Sequence, residues 1–151
     1  TSASSWYNMI SSGSTMTTEA FDPTSGDWSH AWGSAPANLI PRCLMGIEPI
    51  EPGFSKVQIK PQIGTLSNAS VTVPTLRGPV SVSATKGSTY KIAVSIPAGA
   101  IAKVFVKNYG STGTVVTVDG ARTSGTLEGN YVVFDNVPSG SHVFEKAMGA
   151  P

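Results

Sequence analysis

The chain of 151 residues is long enough for one ordinary domain, or for a small domain with an appendage. Its composition, 40% apolar and only 13% charged residues, favours a packed globular protein over a disordered one. The formal net charge of +1 argues against nucleic acid as a partner, and no apolar run approaches the roughly 18 residues that predict a membrane span.

The charge is unevenly distributed along the sequence. Residues 1–54 carry five acidic residues and one basic residue, whereas residues 55–151 carry nine basic and four acidic residues. Lysines in the second part alternate with apolar residues, which predicts a solvated sheet face. The single Cys43 offers neither a disulfide nor a metal-binding set, and we expect it to be a buried small hydrophobe. No cofactor is predicted.

The N-terminal residues predict a helix. The chain opens on Thr1 with no starting Met and no signal segment, which predicts a chain entered in mid-domain. Residues 4–12 are typical of a helix end, because Trp6, Met9 and Ile10 share one face, and Gly13 is expected to close it.

The stretch 15–33 concentrates chemically active side chains, with three of the nine acids, two of the three tryptophans and one of the two histidines. Carboxylates beside aromatic rings are typical of a sugar-binding cleft, because aromatic faces stack on pyranoses and carboxylates orient hydroxyls or activate water. The alternative is a helix cap and a loop whose aromatics fill a core. Thr17 or Thr18 is predicted to open a short helical turn that carries Glu19.

Residues 34–47 predict a second helix, with Ser34 as its N-cap, a kink at Pro41 and Gly46 at its end. After Phe54 the apolar period changes from 3.6 to 2, and about eight short strands are predicted. They are residues 55–60, 70–73, 80–83, 90–96, 102–106, 115–118, 130–134 and 141–144. The fold predicted is a mostly β protein, an antiparallel β-sandwich preceded by a short helical segment.

Several motifs follow one another in an order typical of one enzyme family. They are Thr17-Thr-Glu-Ala-Phe-Asp22, Ser29-His-Ala-Trp-Gly-Ser-Ala-Pro-Ala-Asn38, Ile40-Pro-Arg-Cys-Leu-Met-Gly-Ile-Glu-Pro49, Glu51-Pro-Gly-Phe-Ser-Lys-Val-Gln-Ile-Lys-Pro61 and Val73-Pro-Thr-Leu-Arg-Gly-Pro-Val80. This series resembles the α-L-rhamnosidases of glycoside hydrolase family seventy-eight, over nearly the whole chain. The resemblance implies that residues 1–50 are the terminal helices and loop of an (α/α) barrel of six hairpins, and that residues 52–151 are a C-terminal β-sandwich domain.

The resemblance also implies a reaction, the hydrolysis of terminal α-L-rhamnosides with inversion of configuration. An inverting enzyme holds its acid and its base roughly 6.5–9.5 Å apart, which leaves room for water. Glu19 matches the family's general base, although the family commonly has Trp where this chain has Thr18. The general acid belongs to an earlier segment that this chain does not contain. Because one carboxylate cannot be both acid and base, we expect the chain alone to be inactive.

Four further residues are candidate contacts to the sugar. By the resemblance, His30 donates to rhamnose hydroxyls and Trp32 forms a stacking wall. Trp28 and Asp22 are further candidates. The alternatives are a structural hydrogen bond from His30 that ties the loop to the helix, a core position for at least one of the two tryptophans, and a turn role for Asp22. The expected partners are a rhamnose-containing glycoside or polysaccharide, and the rest of the parent enzyme or a second chain packing on residues 1–50. No nucleic acid and no membrane is expected.

A second function class is a non-catalytic module, either carbohydrate-binding or purely structural. The predicted sandwich has no tryptophan and only three tyrosines, Tyr90, Tyr109 and Tyr131, so it lacks an obvious platform for stacking sugars. A structural role that braces the barrel is therefore favoured for the sandwich. His142, which precedes Val143 and Phe144 in a predicted strand, is expected to be structural as well.

Overall fold

The computed structural model describes residues 2, 4–22, 30–111 and 113–149, without the side chain of Trp32. The chain divides into two compact units, residues 1–39 and residues 40–151. None of the helices in these described ranges is long and apolar enough to cross a membrane.

The first unit begins with helix α1, Trp6–Ser11, as the apolar spacing predicts. Ser5 caps its N-terminus, because its hydroxyl accepts the Asn8 N–H at 3.2 Å. At the other end Gly13 takes a φ of 88°, and its N–H donates to the carbonyl oxygen of Ile10 at 3.0 Å. The predicted closure of the helix by a left-handed glycine is confirmed.

The predicted helix over 34–47 is present, but in pieces of different pitch. A 3-10 turn over Ala31–Ser34 leads into the short helix α2, Ala35–Leu39, in the first unit. The second unit begins with a wide π-type turn, Ile40–Leu44, in which the Met45 N–H donates to the Ile40 carbonyl oxygen at 3.0 Å. Pro41 has no N–H to donate, which accounts for the local loss of α-helical pairing. Cys43 lies exposed on this turn, so its predicted burial was wrong.

The rest of the second unit is built from strands. They are β1 Glu48–Pro49, β2 Lys56–Ile59, β3 Asn68–Val73, β4 Val80–Lys86, β5 Thr89–Ile96, β6 Ile101–Lys107, β7 Val115–Val118, β8 Ala121–Ser124, β9 Thr126–Glu128, β10 Tyr131–Val137 and β11 Gly140–Ala147. A short 3-10 turn, Pro52–Phe54, separates β1 from β2.

These strands form two sheets. One sheet has the order β1-β2-β6-β10-β9 and the other has the order β3-β4-β5-β11-β7-β8. All described pairs are antiparallel except β2 with β6, which run parallel. The mostly β, sandwich-type fold is confirmed, and each of the predicted strands is found.

The core lies between the two sheets. Alternate residues of β4 and β5 are buried, and the same holds for β2 and β6, so one face of each sheet is apolar. The largest fully buried side chains here include Tyr90, Phe144, Ile59 and Ile92. Burying one such side chain contributes roughly 1.5–3 kcal/mol relative to exposure, which makes this core the main stabilising feature of the unit.

Arg77 ties two loops together at one end of the sandwich. Its Nε donates to the Gly53 carbonyl oxygen at 3.2 Å and its Nη1 donates to the Gly99 carbonyl oxygen at 2.8 Å. The guanidinium group, a rigid fork of donors, thereby fixes the loop after β1 against the loop between β5 and β6.

Candidate functional site

Glu19 lies in an irregular segment of the first unit. Residues 15–21 form bends, with an isolated bridge at Thr18, so the predicted helical turn was wrong. The reason is local, because the Thr18 hydroxyl donates to the carbonyl oxygen of Ala20 instead of accepting an N–H as a helix cap does. The Glu19 side chain is exposed, which leaves its carboxylate accessible to water.

Helix α1 anchors the residue before Glu19. Thr18 is only 1% exposed, and its hydroxyl lies 3.7 Å from the sulfur of Met9, which is also 1% exposed. Met9 belongs to the apolar face of α1 that the sequence predicts. The main chain at Glu19 is therefore positioned by a packed neighbour although the glutamate itself is exposed.

A second contact holds the segment on the other side of Glu19. The rings of Trp6 and Phe21 lie 6.1 Å apart between centroids and are inclined by 52°. Tilted aromatic pairs of this kind contribute roughly 0.5–1.5 kcal/mol beyond their buried area. Glu19 is thus bracketed by two contacts to α1, one through Thr18 and one through Phe21.

The turn that contains Trp32 packs against this segment. A Cβ atom at Gly33 would lie 2.7 Å from the carbonyl oxygen of Thr18 and 3.0 Å from that of Thr17, so only glycine fits there. The Gly33 N–H donates to the carbonyl oxygen of His30 at 3.0 Å, which closes the turn. Two motifs that the sequence singles out separately are therefore neighbours in space, at the level of the main chain.

The remaining predicted site residues are placed as follows. His30 and Asp22 are both exposed. Trp28 lies outside the described residues, and so does the side chain of Trp32, whose main chain belongs to the turn Ala31–Ser34. Their roles as sugar contacts stay predictions.

The sandwich holds a carboxylate–imidazole pair that the sequence does not reveal. His142 Nδ1 lies 2.7 Å from Asp119 Oδ2, its Nε2 lies 3.1 Å from the Pro138 carbonyl oxygen, and the other Asp119 oxygen accepts the Val143 N–H at 2.6 Å. The hydrogen bonds from His142 and then Val143 lower the pKa of Asp119. Both imidazole nitrogens face oxygens, so this pair fastens the β7–β8 turn to β11, and the expected structural role of His142 agrees with this geometry.

Two open grooves lie on the sandwich. One, of about 490 Å³, crosses β3, β4, β5 and β11, and half of its lining residues carry hydroxyls, among them Ser70, Ser81 and Ser95. The other, of about 590 Å³, lies beside Phe54 and the exposed Leu76. Neither set of lining residues contains two carboxylates, and nowhere in the described ranges do three His, Cys, Asp or Glu side chains gather as a metal site. Neither groove has the paired acids of a glycosidase site.

Comparisons with known proteins point to one family. The family model described as the bacterial alpha-L-rhamnosidase C-terminal domain matches residues 46–122. No curated protein sequence matches the chain.

Three solved structures resemble the chain over most of its length. An alpha-L-rhamnosidase from Dictyoglumus thermophilum has a TM-score of 0.77 at 22% identity, covering 93% of this chain and 17% of that one. The alpha-L-rhamnosidase from Streptomyces avermitilis, complexed with L-rhamnose, has a TM-score of 0.73 at 28% identity, covering 93% and 14%. The enzyme from Aspergillus terreus has a TM-score of 0.69 at 19% identity, covering 96% and 16%. The chain therefore spans less than a fifth of each of these proteins.

Proposed function

The chain belongs to the bacterial alpha-L-rhamnosidase C-terminal domain family, and from this premise we propose that it is the C-terminal part of a glycoside hydrolase that removes terminal α-L-rhamnose from glycosides with inversion. The observation that carries the proposal is the packing of Gly33 on Thr18, because it joins the Glu19 segment to the His30–Trp32 turn. A carboxylate, an imidazole and an indole are needed together at a sugar site, and these segments supply them from neighbouring stretches of main chain.

In the proposed mechanism Glu19 is the general base. Its carboxylate takes a proton from the water that attacks the anomeric carbon, while an acid from an earlier segment of the parent chain protonates the leaving oxygen. The exposure of Glu19 supports this role, since the base must reach a water molecule. His30 donates to sugar hydroxyls, Trp32 and Trp28 stack on the ring, and Asp22 accepts from a hydroxyl.

The proposed partner of residues 1–50 is the rest of the parent enzyme, whose barrel these residues complete, while residues 52–151 form the sandwich domain. Two apolar side chains of α1 support this, because Tyr7 is 63% exposed and Ile10 is 70% exposed. They lie three positions apart on the helix and form an uncovered apolar face. In a longer chain the preceding helix of the barrel would cover them.

An assay with an aryl α-L-rhamnoside tests the proposal. The 151-residue chain should give no turnover, whereas the parent chain should release β-L-rhamnose as the first product, as followed by proton NMR. Turnover by the chain alone would contradict the inference that the general acid lies outside this chain. Release of α-L-rhamnose first would contradict inversion.

A further inference from the structure

Three lysines meet two tyrosine rings at one end of the sandwich. Lys60 directly follows β2, and its Nζ lies 4.8 Å from the centroid of the Tyr131 ring. Lys107 ends β6 with its Nζ 5.2 Å from the Tyr109 ring, and Lys86 ends β4 with its Nζ 5.5 Å from that same ring. We call these five residues the lysine–tyrosine cluster.

Lys107 links the members of the cluster. Tyr131 of β10 is directly opposite Lys107 of β6 in the antiparallel register. Burial first, and then the phenol of Tyr131, raise the pKa of Tyr109. Lys107 is thus opposite one ring and beside the other, and the three ammonium groups lie around the two rings.

These ammonium groups have no carboxylate partner among the described residues. Residues 55–151 contain four acidic side chains, and all four are engaged elsewhere. Glu128 pairs with Lys103 at 2.9 Å, Asp135 with Lys56 at 2.7 Å, Glu145 with Lys91 at 3.1 Å and Asp119 with His142 at 2.7 Å.

The contrast within one sheet makes the cluster unusual. Lys103 and Lys107 both belong to β6 and lie on the same face, yet only Lys103 has a carboxylate beside it. The cation–π interaction between an ammonium group and an aromatic ring stabilises an exposed site by roughly 0.5–1 kcal/mol. This offsets part of the repulsion between the like charges of the lysines. The remaining positive potential favours an anion, and carboxylates bind ammonium groups through short charge-assisted hydrogen bonds.

We propose that the lysine–tyrosine cluster binds the carboxylate groups of an acidic sugar chain. The choice of a sugar chain among polyanions rests on the proposed function, in which the parent enzyme acts on glycans. Nucleic acid fits less well, because the net charge of the whole chain is only +1. The cluster lies outside the proposed catalytic segment, so it holds the polymer and does not cut it.

The test is a titration of the 151-residue chain with polygalacturonate at about 50 mM salt, where exposed charges are weakly screened. The double variant Lys60→Gln/Lys107→Gln should bind at least about tenfold more weakly, a loss of roughly 1.4 kcal/mol. The control Lys91→Gln/Arg122→Gln removes two positive charges of the six-stranded sheet that lie outside the cluster, and should change the affinity by less than about twofold. Equal melting temperatures for the two variants would show that the weaker binding is not caused by a loss of folding.

Three results would overturn the proposal. They are no binding of polygalacturonate by the unmodified chain, equal weakening by the control variant, and equal affinity for poly-L-glutamate or DNA. The proposed rhamnosidase function and the proposed binding role of the cluster can be refuted independently of each other. An active parent enzyme whose C-terminal chain does not bind polygalacturonate refutes only the cluster, whereas a binding chain in an inactive parent refutes only the rhamnosidase assignment.

Discussion

Gly33 packs against the main chain of Thr18, where a Cβ atom would lie 2.7 Å from the Thr18 carbonyl oxygen. Thr18 is itself buried and precedes Glu19, so the contact transmits the position of the 31–34 turn to the main chain of the proposed base. A single glycine therefore determines whether the two parts of the candidate site can meet.

We expect Gly33→Ala to destabilise the first unit by roughly 1–3 kcal/mol, because the methyl group would force the Thr18 main chain to move. Tryptophan fluorescence during urea unfolding measures this, since all three tryptophans lie within residues 1–39. Thr15→Ala is the control within the same unit, because Thr15 is exposed. Equal effects of the two substitutions would contradict the close packing at Gly33.

Tyr90 has a fully buried hydroxyl with no hydrogen-bond partner among the described residues. Burial raises the pKa of this phenol, with a smaller contribution from Tyr109. Tyr90→Phe should leave the free energy of unfolding unchanged or raise it by up to about 1 kcal/mol, because it removes an unpaired polar group. Tyr90→Ala should lower it by roughly 3–5 kcal/mol. A loss of more than about 1 kcal/mol in Tyr90→Phe would mean that the hydroxyl has a partner.

The Asp119–His142 pair should make the free energy of unfolding depend on pH in the acid range. Hydrogen bonds from His142 and Val143 lower the pKa of Asp119 below its ordinary value of 3.8 in the folded state. A lowered carboxyl pKa stabilises the fold above the unfolded value, and this contribution is lost as the pH falls through the folded value. We expect Asp119→Asn to be destabilised relative to the unmodified chain at pH 7, with the difference shrinking as the pH drops below about 3.8.

Urea unfolding of both proteins between neutral and acid pH measures this difference. Glu145→Gln, which breaks the exposed pair with Lys91, is the comparison and should cost no more than about 1 kcal/mol at neutral pH. If the difference in free energy of unfolding between Asp119→Asn and the unmodified chain stays constant with pH, the proposed link between the pKa of Asp119 and stability is refuted.

The alternation of polar and apolar residues predicted the strands that bury one face. The three strands that it missed, β1, β8 and β9, are two to four residues long, and every residue of β8 and β9 is exposed. Without a buried face there is no alternation to detect. The parallel pairing of β2 with β6 was equally hidden, because pairing partners are set by tertiary contacts and not by local sequence.

The sequence predicts a set of candidate site residues but not their geometry. Motif order indicated Glu19, His30 and Trp32, whereas the expected helical turn at Glu19 failed because the Thr18 side chain is buried and bonds to the Ala20 carbonyl oxygen. The lysine–tyrosine cluster could not be found from spacing, since its members come from three strands, a turn and the residue after β2, which meet only in the folded sandwich.

The role of Glu19 is tested most directly by Glu19→Gln in the parent enzyme, assayed for kcat on an aryl α-L-rhamnoside. Gln keeps the size of the side chain but cannot accept the proton of the attacking water, so kcat should fall by roughly 10²–10⁴-fold with little change in KM. Glu51→Gln is the control, because Glu51 is exposed and accepts a hydrogen bond from the Ser55 hydroxyl at 2.9 Å. An enzyme that keeps most of its kcat with Gln at position 19 would contradict the assignment of Glu19 as the general base.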